Sequence, residues 1–106
     1  MSKSNPSPTP QEILRSRLEM LGERFRTRAA DDLGQMRSAL ARADHQLLRE
    51  RAHRLSGVAA TFGYPEVGEA AKSLDNSINR NALAEEIGAN AQRLFELLAL
   101  ASSVPE

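Results

Sequence analysis

The sequence predicts an all-α fold: an up-down antiparallel four-helix bundle with a short additional N-terminal helix. Apolar residues recur at spacings of three and four residues through most of the chain, which is the pattern of amphipathic helices. Aromatic residues make up only 4% of the chain, and no run alternates between apolar and polar residues as a strand does. The predicted connections are short, which favours antiparallel packing of successive helices. A chain of 106 residues has room for one domain with a simple core, and we expect the bundle to cover residues 10–102.

The N-terminal segment, residues 1–9, contains prolines and serines but no apolar run, so we expect a disordered leader. Thr9 is suited to cap the first helix, and Pro10 is suited to begin it. We predict a short helix over residues 10–21 that ends at Gly22. A single bent helix that continues through Gly22 is the alternative. The apolar residues of this segment that fall on one side are Ile13, Leu14, Leu18 and Leu21.

Capping residues set the next boundaries. The second helix is predicted over residues 23–43. Asp44 is a favourable N-cap for a third helix over residues 45–62, and Gly63 is expected to end that helix in the left-handed conformation. The short turn around Asp44 makes the second and third helices antiparallel neighbours.

The C-terminal half is predicted to form two more helices. Pro65 is placed to open a fourth helix over residues 65–78, and Asn81 to cap a fifth over residues 82–101. Arg51 falls among the leucines of the third helix. We expect the charged end of its side chain to reach the edge of the bundle. The apolar residues that helical spacing turns inward are Phe25, Leu33, Met36, Leu40, Leu55, Phe62, Val67, Ala71, Leu74, Ile78, Leu83, Ile87, Leu94, Leu97 and Leu98.

Composition excludes several classes of protein. Lys and Arg number 14 and Asp and Glu number 14, and this balance argues against nucleic-acid binding. The absence of cysteine excludes disulfides and thiolate metal sites. No apolar run is long enough to span a membrane or to form a signal peptide, so we expect a soluble, cytoplasmic protein. Arginines such as Arg15, Arg17 and Arg24 are interpreted as solvated helix faces, with a docking surface for an acidic partner as the alternative.

His53 lies in the third predicted helix, on the side opposite the apolar residues. At 100° per residue, Leu55, Val58 and Phe62 fall about 140–200° from His53. Packing in a core therefore does not explain this histidine, and a partner is able to reach it. The residues that share its face are polar or small: Gln46, Arg49, Glu50, Ser56, Gly57 and Ala60.

Several roles for His53 compete. A buried structural histidine conflicts with its face, whereas an exposed histidine without a role stays open. Glu50 and His53 have the Glu-x-x-His spacing of di-iron bundles, but no second pair occurs, so we expect no metal. Hydrolysis by a serine or cysteine nucleophile lacks its motifs. A nucleophile toward phosphorus fits best, because a neutral imidazole has a free lone pair near pH 7.

Gly57 supports this interpretation of His53. A glycine inside a helix costs about 0.5–1 kcal/mol relative to alanine, so its presence one turn after His53 needs a reason. Gly57 and Ala60 leave room beside the imidazole for the backbone of a partner. The face around His53 therefore suits attack on a phosphoryl group that another protein carries.

The residues around His53 belong to a longer pattern. In the third helix the pattern comprises Ala52, His53, Leu55, Gly57, Ala59, Ala60, Phe62 and Gly63. In the fourth helix it comprises Val67, Ala70, Ala71, Leu74 and Asp75. This pattern resembles the signature of the histidine-containing phosphotransfer (HPt) domain family, in which Ala-His-x-Leu-Lys-Gly precedes small residues and a second helix with a Leu-acidic pair. The resemblance covers about residues 18–100.

The resemblance implies a four-helix bundle that acts as a phosphorelay intermediate. His53 would take a phosphoryl group from a receiver-domain aspartate of a response regulator and pass it to another receiver. A hybrid histidine kinase is a second kind of partner. The resemblance also implies a monomer without a nucleotide or metal cofactor of its own, with Mg²⁺ supplied by the receiver. The residues expected to dock the partner are Gln46, Glu50, Arg54, Gly57, Ala60 and Lys72.

Ser56 departs from the family pattern, which has lysine at this position. The charge of that lysine would lie beside the phosphoryl group and offset its negative charge. We expect Arg49 to supply the charge, with Arg54 and Lys72 as further candidates. The departure leaves an alternative function open, a degenerate HPt-like bundle that binds receiver domains or other partners without phosphotransfer.

Overall fold

The computed structural model describes residues 7–103 and is all-α over this range, as predicted. Residues 1–6 of the predicted leader lie outside the described residues. None of the helices in the described range is both long enough and apolar enough to cross a membrane. The elements are α1 (Pro10–Ala41), α2 (His45–Val58), a 3₁₀ turn (Ala60–Phe62), α3 (Pro65–Asn79) and α4 (Ala84–Ser102).

Helix α1 is one continuous helix of 32 residues, so the predicted separate N-terminal helix is wrong and the single-helix alternative holds. Thr9 caps it as predicted: the Glu12 backbone N–H donates to the Thr9 hydroxyl at 3.1 Å, and the Thr9 N–H donates to the Glu12 carboxylate at 2.9 Å. The hydrogen bonds from the backbone and then the side chain of Thr9 hold the pKa of Glu12 below its ordinary value. Gly22 does not break the helix, because a glycine within a helix costs only about 1 kcal/mol.

The turn into α2 follows the prediction, and the end of that helix differs slightly. Asp44 accepts a hydrogen bond from the Leu47 N–H at 3.1 Å. Helix α2 ends at Val58, and the chain tightens into the 3₁₀ turn before Gly63. Gly63 has φ of +90°, the left-handed conformation that was predicted to end this segment.

The start of α4 corrects two predictions. Asn81 is not its N-cap; it has φ of +56° and lies just after α3. Helix α4 begins at Ala84, with Leu83 in the N-cap position. Leu83 is 78% exposed and is not a core residue, because it precedes the helix whose spacing was used to place it.

The four helices pack around one core, each antiparallel to its neighbours, and α4 returns to pack against α1. At one end of the bundle the Phe25 ring stacks on Tyr64, with ring centroids 4.5 Å apart, and on Phe62 at 5.4 Å. Phe62 itself is only partly buried, as are Leu40, Ile78 and Leu97. The large fully buried apolar residues are Phe25, Met36, Leu48, Leu55, Leu74, Leu94 and Leu98.

Arg51 has a partner inside the bundle. Its guanidinium lies 2.8 Å from the carboxylate of Asp32, which is 2% exposed on α1. Asp31 lies 3.6 Å from the same guanidinium, and Arg28 lies 3.8 Å from the Asp32 carboxylate. Arg51 therefore ties α2 to α1 through a charge-assisted hydrogen bond, which the pattern of a single helix does not reveal.

Candidate functional site

His53 lies on α2 with 71% of its side chain exposed, on the face that the helical wheel predicts. Its neighbours Ala52 and Leu55 are fully buried and hold this part of α2 against the core. The imidazole thus stands on a helix whose opposite side is fixed by packing. A group on such a support keeps one orientation toward an approaching partner.

Asp75 on α3 holds one nitrogen of the imidazole. The distance from His53 Nδ1 to Asp75 Oδ2 is 2.7 Å, and Asp75 is 9% exposed. An ionised carboxylate only accepts hydrogen bonds, so Nδ1 carries the proton and donates it. The neutral ring then has its lone pair on Nε2, the nitrogen that does not contact Asp75.

Asp75 belongs to the family pattern in the sequence, but the sequence alone predicted no role for it. The signal was present: Asp75 follows the core residue Leu74 and lies one turn after Ala71, close to the apolar face of α3. An acidic residue near a buried face needs a partner. The partner could not be named, because it lies on another helix.

Arg49 approaches the other oxygen of the same carboxylate. Arg49 Nε lies 3.1 Å from Asp75 Oδ1, and 43% of the arginine side chain is exposed. Both atoms are buried, and within residues 7–103 neither makes a hydrogen bond, so this is a close ion pair that is not aligned as a hydrogen bond. Asp75 therefore brings together the predicted site residues His53 and Arg49 and links α2 to α3.

Ser56 is turned back onto its own helix. Its hydroxyl donates to the carbonyl of His53 at 2.7 Å, so its proton does not point toward the imidazole edge. On the other side of this turn, Gly68 of α3 packs closely, and a Cβ there would lie 3.7 Å from the Ser56 carbonyl oxygen. Ser56 thus contributes a small surface beside His53 rather than a hydrogen-bond donor.

Gly57 and Ala60 lie on the exposed surface next to this turn. A Cβ built on Gly57 would meet no atom within 4 Å. The bundle itself therefore does not require glycine at this position. At the other end of the same face, Gln46 donates to Glu50 at 3.5 Å.

Lys72 and Arg54 are exposed cations near the site. Because α2 and α3 are antiparallel, with Asp75 beside His53 and Gly68 beside Ser56, Lys72 lies between those two levels on α3. Arg54 follows His53 directly and projects about 100° around α2 from it. Lys72 is therefore better placed than Arg54 to approach a group on the imidazole.

The described range contains no group of three or more His, Asp and Glu side chains that could hold a metal ion. An exposed nucleophilic nitrogen, a buried carboxylate that orients it and a smooth small-residue surface beside it can together receive a group from another macromolecule.

The family model of the Hpt domain matches residues 20–104, which include every site residue described above. Comparison with curated proteins found no match, and comparison with solved structures found none. The family match covers most of the chain and agrees with the four-helix bundle. The chain therefore belongs to the Hpt domain family, whose members serve phosphotransfer in phosphorelays.

Proposed function

We propose that this protein is a phosphorelay intermediate that accepts a phosphoryl group on His53 Nε2 from a receiver-domain aspartate and passes it to another receiver. The observation that carries the proposal is the exposed imidazole whose Nδ1 lies 2.7 Å from the largely buried Asp75. This contact leaves Nε2 as the nucleophilic nitrogen. The proposed partners are receiver domains of response regulators and of a hybrid histidine kinase.

The transfer step follows from the roles of the two ring nitrogens. The Nε2 lone pair attacks the phosphorus of the aspartyl phosphate, an N–P bond forms, the P–O bond to the aspartate breaks, and the receiver's carboxylate leaves with the bonding electron pair. The proton on Nδ1 stays in its hydrogen bond to Asp75. The ring gains positive charge in this step, and the adjacent carboxylate stabilises that charge as the aspartate of a catalytic triad does. Asp75 is thus a positioning residue for His53.

The small-residue surface beside His53 supports docking of a folded partner. For phosphorus to reach Nε2, the backbone of the receiver has to come close to α2, and Gly57 and Ala60 leave no long side chain in its way. Gln46 and Glu50 extend the same face toward the start of α2. We therefore keep these residues as the proposed docking surface.

Two substitutions at Gly57 are expected to have different effects: alanine should stabilise the bundle, and leucine should slow phosphotransfer. A Cβ at this position meets open space, so Gly57→Ala should raise the free energy of unfolding by about 0.5–1 kcal/mol. Gly57→Leu should leave the bundle folded and slow transfer from a receiver by about tenfold or more, because the side chain fills the docking surface. Quenched time courses of phosphotransfer measure the transfer rate, and urea unfolding measures the free energy of unfolding.

Gly34→Leu is the matched control, since Gly34 is an exposed helical glycine of α1 with equal space around it. Equal transfer rates for Gly57→Leu and Gly34→Leu would contradict the docking surface.

Arg49 is the proposed substitute for the cation that Ser56 lacks. Its Nε lies against Asp75, and 43% of its side chain is exposed. Within residues 7–103 Arg49 forms no ion pair with an acidic residue other than Asp75, and its exposed part is placed to approach a phosphoryl group on His53. Lys72, level with the space between His53 and Ser56, is the second candidate.

Arg49→Ala is expected to slow transfer by about tenfold and to shorten the lifetime of the phosphohistidine, because a nearby cation is lost. Arg93→Ala removes an exposed arginine of α4, a helix that carries none of the proposed site residues, and should leave both quantities within about twofold of wild type. Lys72→Ala distinguishes the two candidates. If only Lys72→Ala changes the rate and lifetime, the assignment of the charge to Arg49 is wrong.

The direct test of the proposed function is transfer from labelled receiver domains of the same genome. We expect one or more receivers to lose their aspartyl phosphate while the label appears on this protein, stable in base and lost in acid. Receivers that bind the protein tightly and yet never transfer label would contradict the proposal and favour the alternative, a bundle that only binds receivers.

A further inference from the structure

The first turns of α1 carry an apolar stripe that nothing covers in residues 7–103. Leu14 is 57% exposed, Leu18 58% and Leu21 40%; we call these three residues the α1 stripe. Ile13 at 40% and Met20 at 52% exposed lie farther around the helix, about 105–125° from the centre of the stripe. The helical spacing of the sequence places these leucines on one side of a helix, as the structure does. Adjacent exposed apolar residues of this kind are typical of an interaction site, whereas singly scattered ones need no explanation.

The α1 stripe continues the core face of the bundle. Leu14, Leu18, Leu21 and Phe25 are spaced by four, three and four residues, which is the spacing of a coiled-coil seam. Phe25 is 1% exposed and stacks on Tyr64 and Phe62, and it is the first buried residue of α1. Residues 10–24 precede this first buried residue and span about 22 Å of helix. Their leucine spacing suits packing against one further helix.

The charges around the α1 stripe are sorted by face. On a helical wheel, Arg15, Arg17 and Arg24 lie about 70–90° from the centre of the stripe. None of the three makes an ion pair within the described part of the chain. The seam is thus bordered by unpaired positive charge on both sides, which a partner with acidic borders would neutralise.

The acidic residues of the same segment lie elsewhere. Glu12, Glu19 and Glu23 fall about 130–170° from the centre of the stripe, on the far side of the helix. The segment therefore has no net charge, which gives little attraction to an anionic membrane surface. A partner helix that packs along the leucine seam contacts the arginines at the borders of the seam and not the glutamates on the far side.

We infer that the α1 stripe binds an amphipathic helix of another protein, one with apolar residues at coiled-coil spacing and acidic residues along both borders. A second copy of this chain fits less well, because two copies would bring two sets of arginines to the borders of one seam. The inference is independent of phosphotransfer by His53. It gives the protein a second interface, formed by α1 alone.

The test uses the full chain and a synthetic peptide about three heptads long, with Leu at the seam positions and Glu at the flanking positions. The glutamates keep this peptide from pairing with itself. A second peptide with Lys in place of Glu is the charge control. We expect fluorescence anisotropy to show binding of the acidic peptide that is about tenfold or more tighter than binding of the basic one.

Two double variants and one control locate the binding. Leu14→Gln with Leu18→Gln should abolish binding while leaving the unfolding midpoint unchanged, because both leucines are exposed. Arg17→Glu with Arg24→Glu should reverse the preference between the peptides. Glu19→Gln, on the far side of the same segment, should bind like the wild type.

Three results would overturn the inference. The first is equal or absent binding of the two peptides by the wild type. The second is a dimer in sedimentation that Leu14→Gln with Leu18→Gln makes monomeric, which would assign the stripe to a second copy. The third is binding to vesicles of phosphatidylcholine and phosphatidylglycerol, without peptide binding, which would assign it to a membrane.

Discussion

Replacing His53 with glutamine is expected to reduce phosphotransfer to the background level while receiver binding stays within about twofold of wild type. Glutamine has no nucleophilic nitrogen, because the lone pair of an amide nitrogen is delocalised into the carbonyl. It is still polar, similar in length and able to donate a hydrogen bond to Asp75. The docking surface around it is unchanged, so transfer and binding should separate. Label transfer and affinity, measured with the same receiver, check the two parts.

His45→Gln is the matched control for this prediction. His45 is the first residue of α2 and the other histidine of the chain, and it lies two turns before His53. The control variant should accept label at the wild-type rate. If His53→Gln still accepts acid-labile label, the phosphoacceptor is another residue and the account of His53 is wrong.

The largest effect on stability is expected for Phe25→Ala. Phe25 is 1% exposed and stacks on both Tyr64 and Phe62, so the truncation leaves a cavity between α1 and the turn after α2. Such a change costs about 3–5 kcal/mol of unfolding free energy. Phe62→Ala should cost less, because Phe62 is only partly buried.

Leu14→Ala supplies the comparison for an exposed apolar residue of the same helix. Leu14 is 57% exposed, so its truncation should change the unfolding free energy by no more than about 0.5 kcal/mol. Urea unfolding of the two variants measures the difference. A loss for Phe25→Ala that is no larger than that for Leu14→Ala would show that the aromatic cluster does not anchor α1.

The sequence predicted three boundaries that depend on local hydrogen bonds, although the predicted Asn81 cap is wrong. Thr9, Asp44 and Gly63 each cap or end a segment through atoms within a few residues, so their roles are visible in the chain itself. Gly22 misled the prediction because a single glycine weakens a helix without ending it. The leucine spacing through Gly22 to Phe25 keeps its phase, and this was the better signal.

The candidate site was predictable only in part, because the sequence shows features within one helix but not contacts between helices. The face that His53 shares with Gly57 is a property of one helix and follows from its periodicity. The contacts of Asp75 with His53 and Arg49 join α2 to α3, and the pair of Arg51 with Asp32 joins α2 to α1. Spacing within one helix carries no information on which partner faces it across the bundle.

Asp75 is proposed to hold Nδ1 of His53 and to leave Nε2 to take the phosphoryl group. The most direct measurement is NMR of the protein labelled with ¹⁵N and phosphorylated by a receiver that transfers to it, with ³¹P–¹⁵N coupling identifying the phosphorylated nitrogen. We expect a single phosphoryl group on His53 Nε2, with the proton still on Nδ1. A phosphoryl group on Nδ1, or on any residue other than His53, would contradict it.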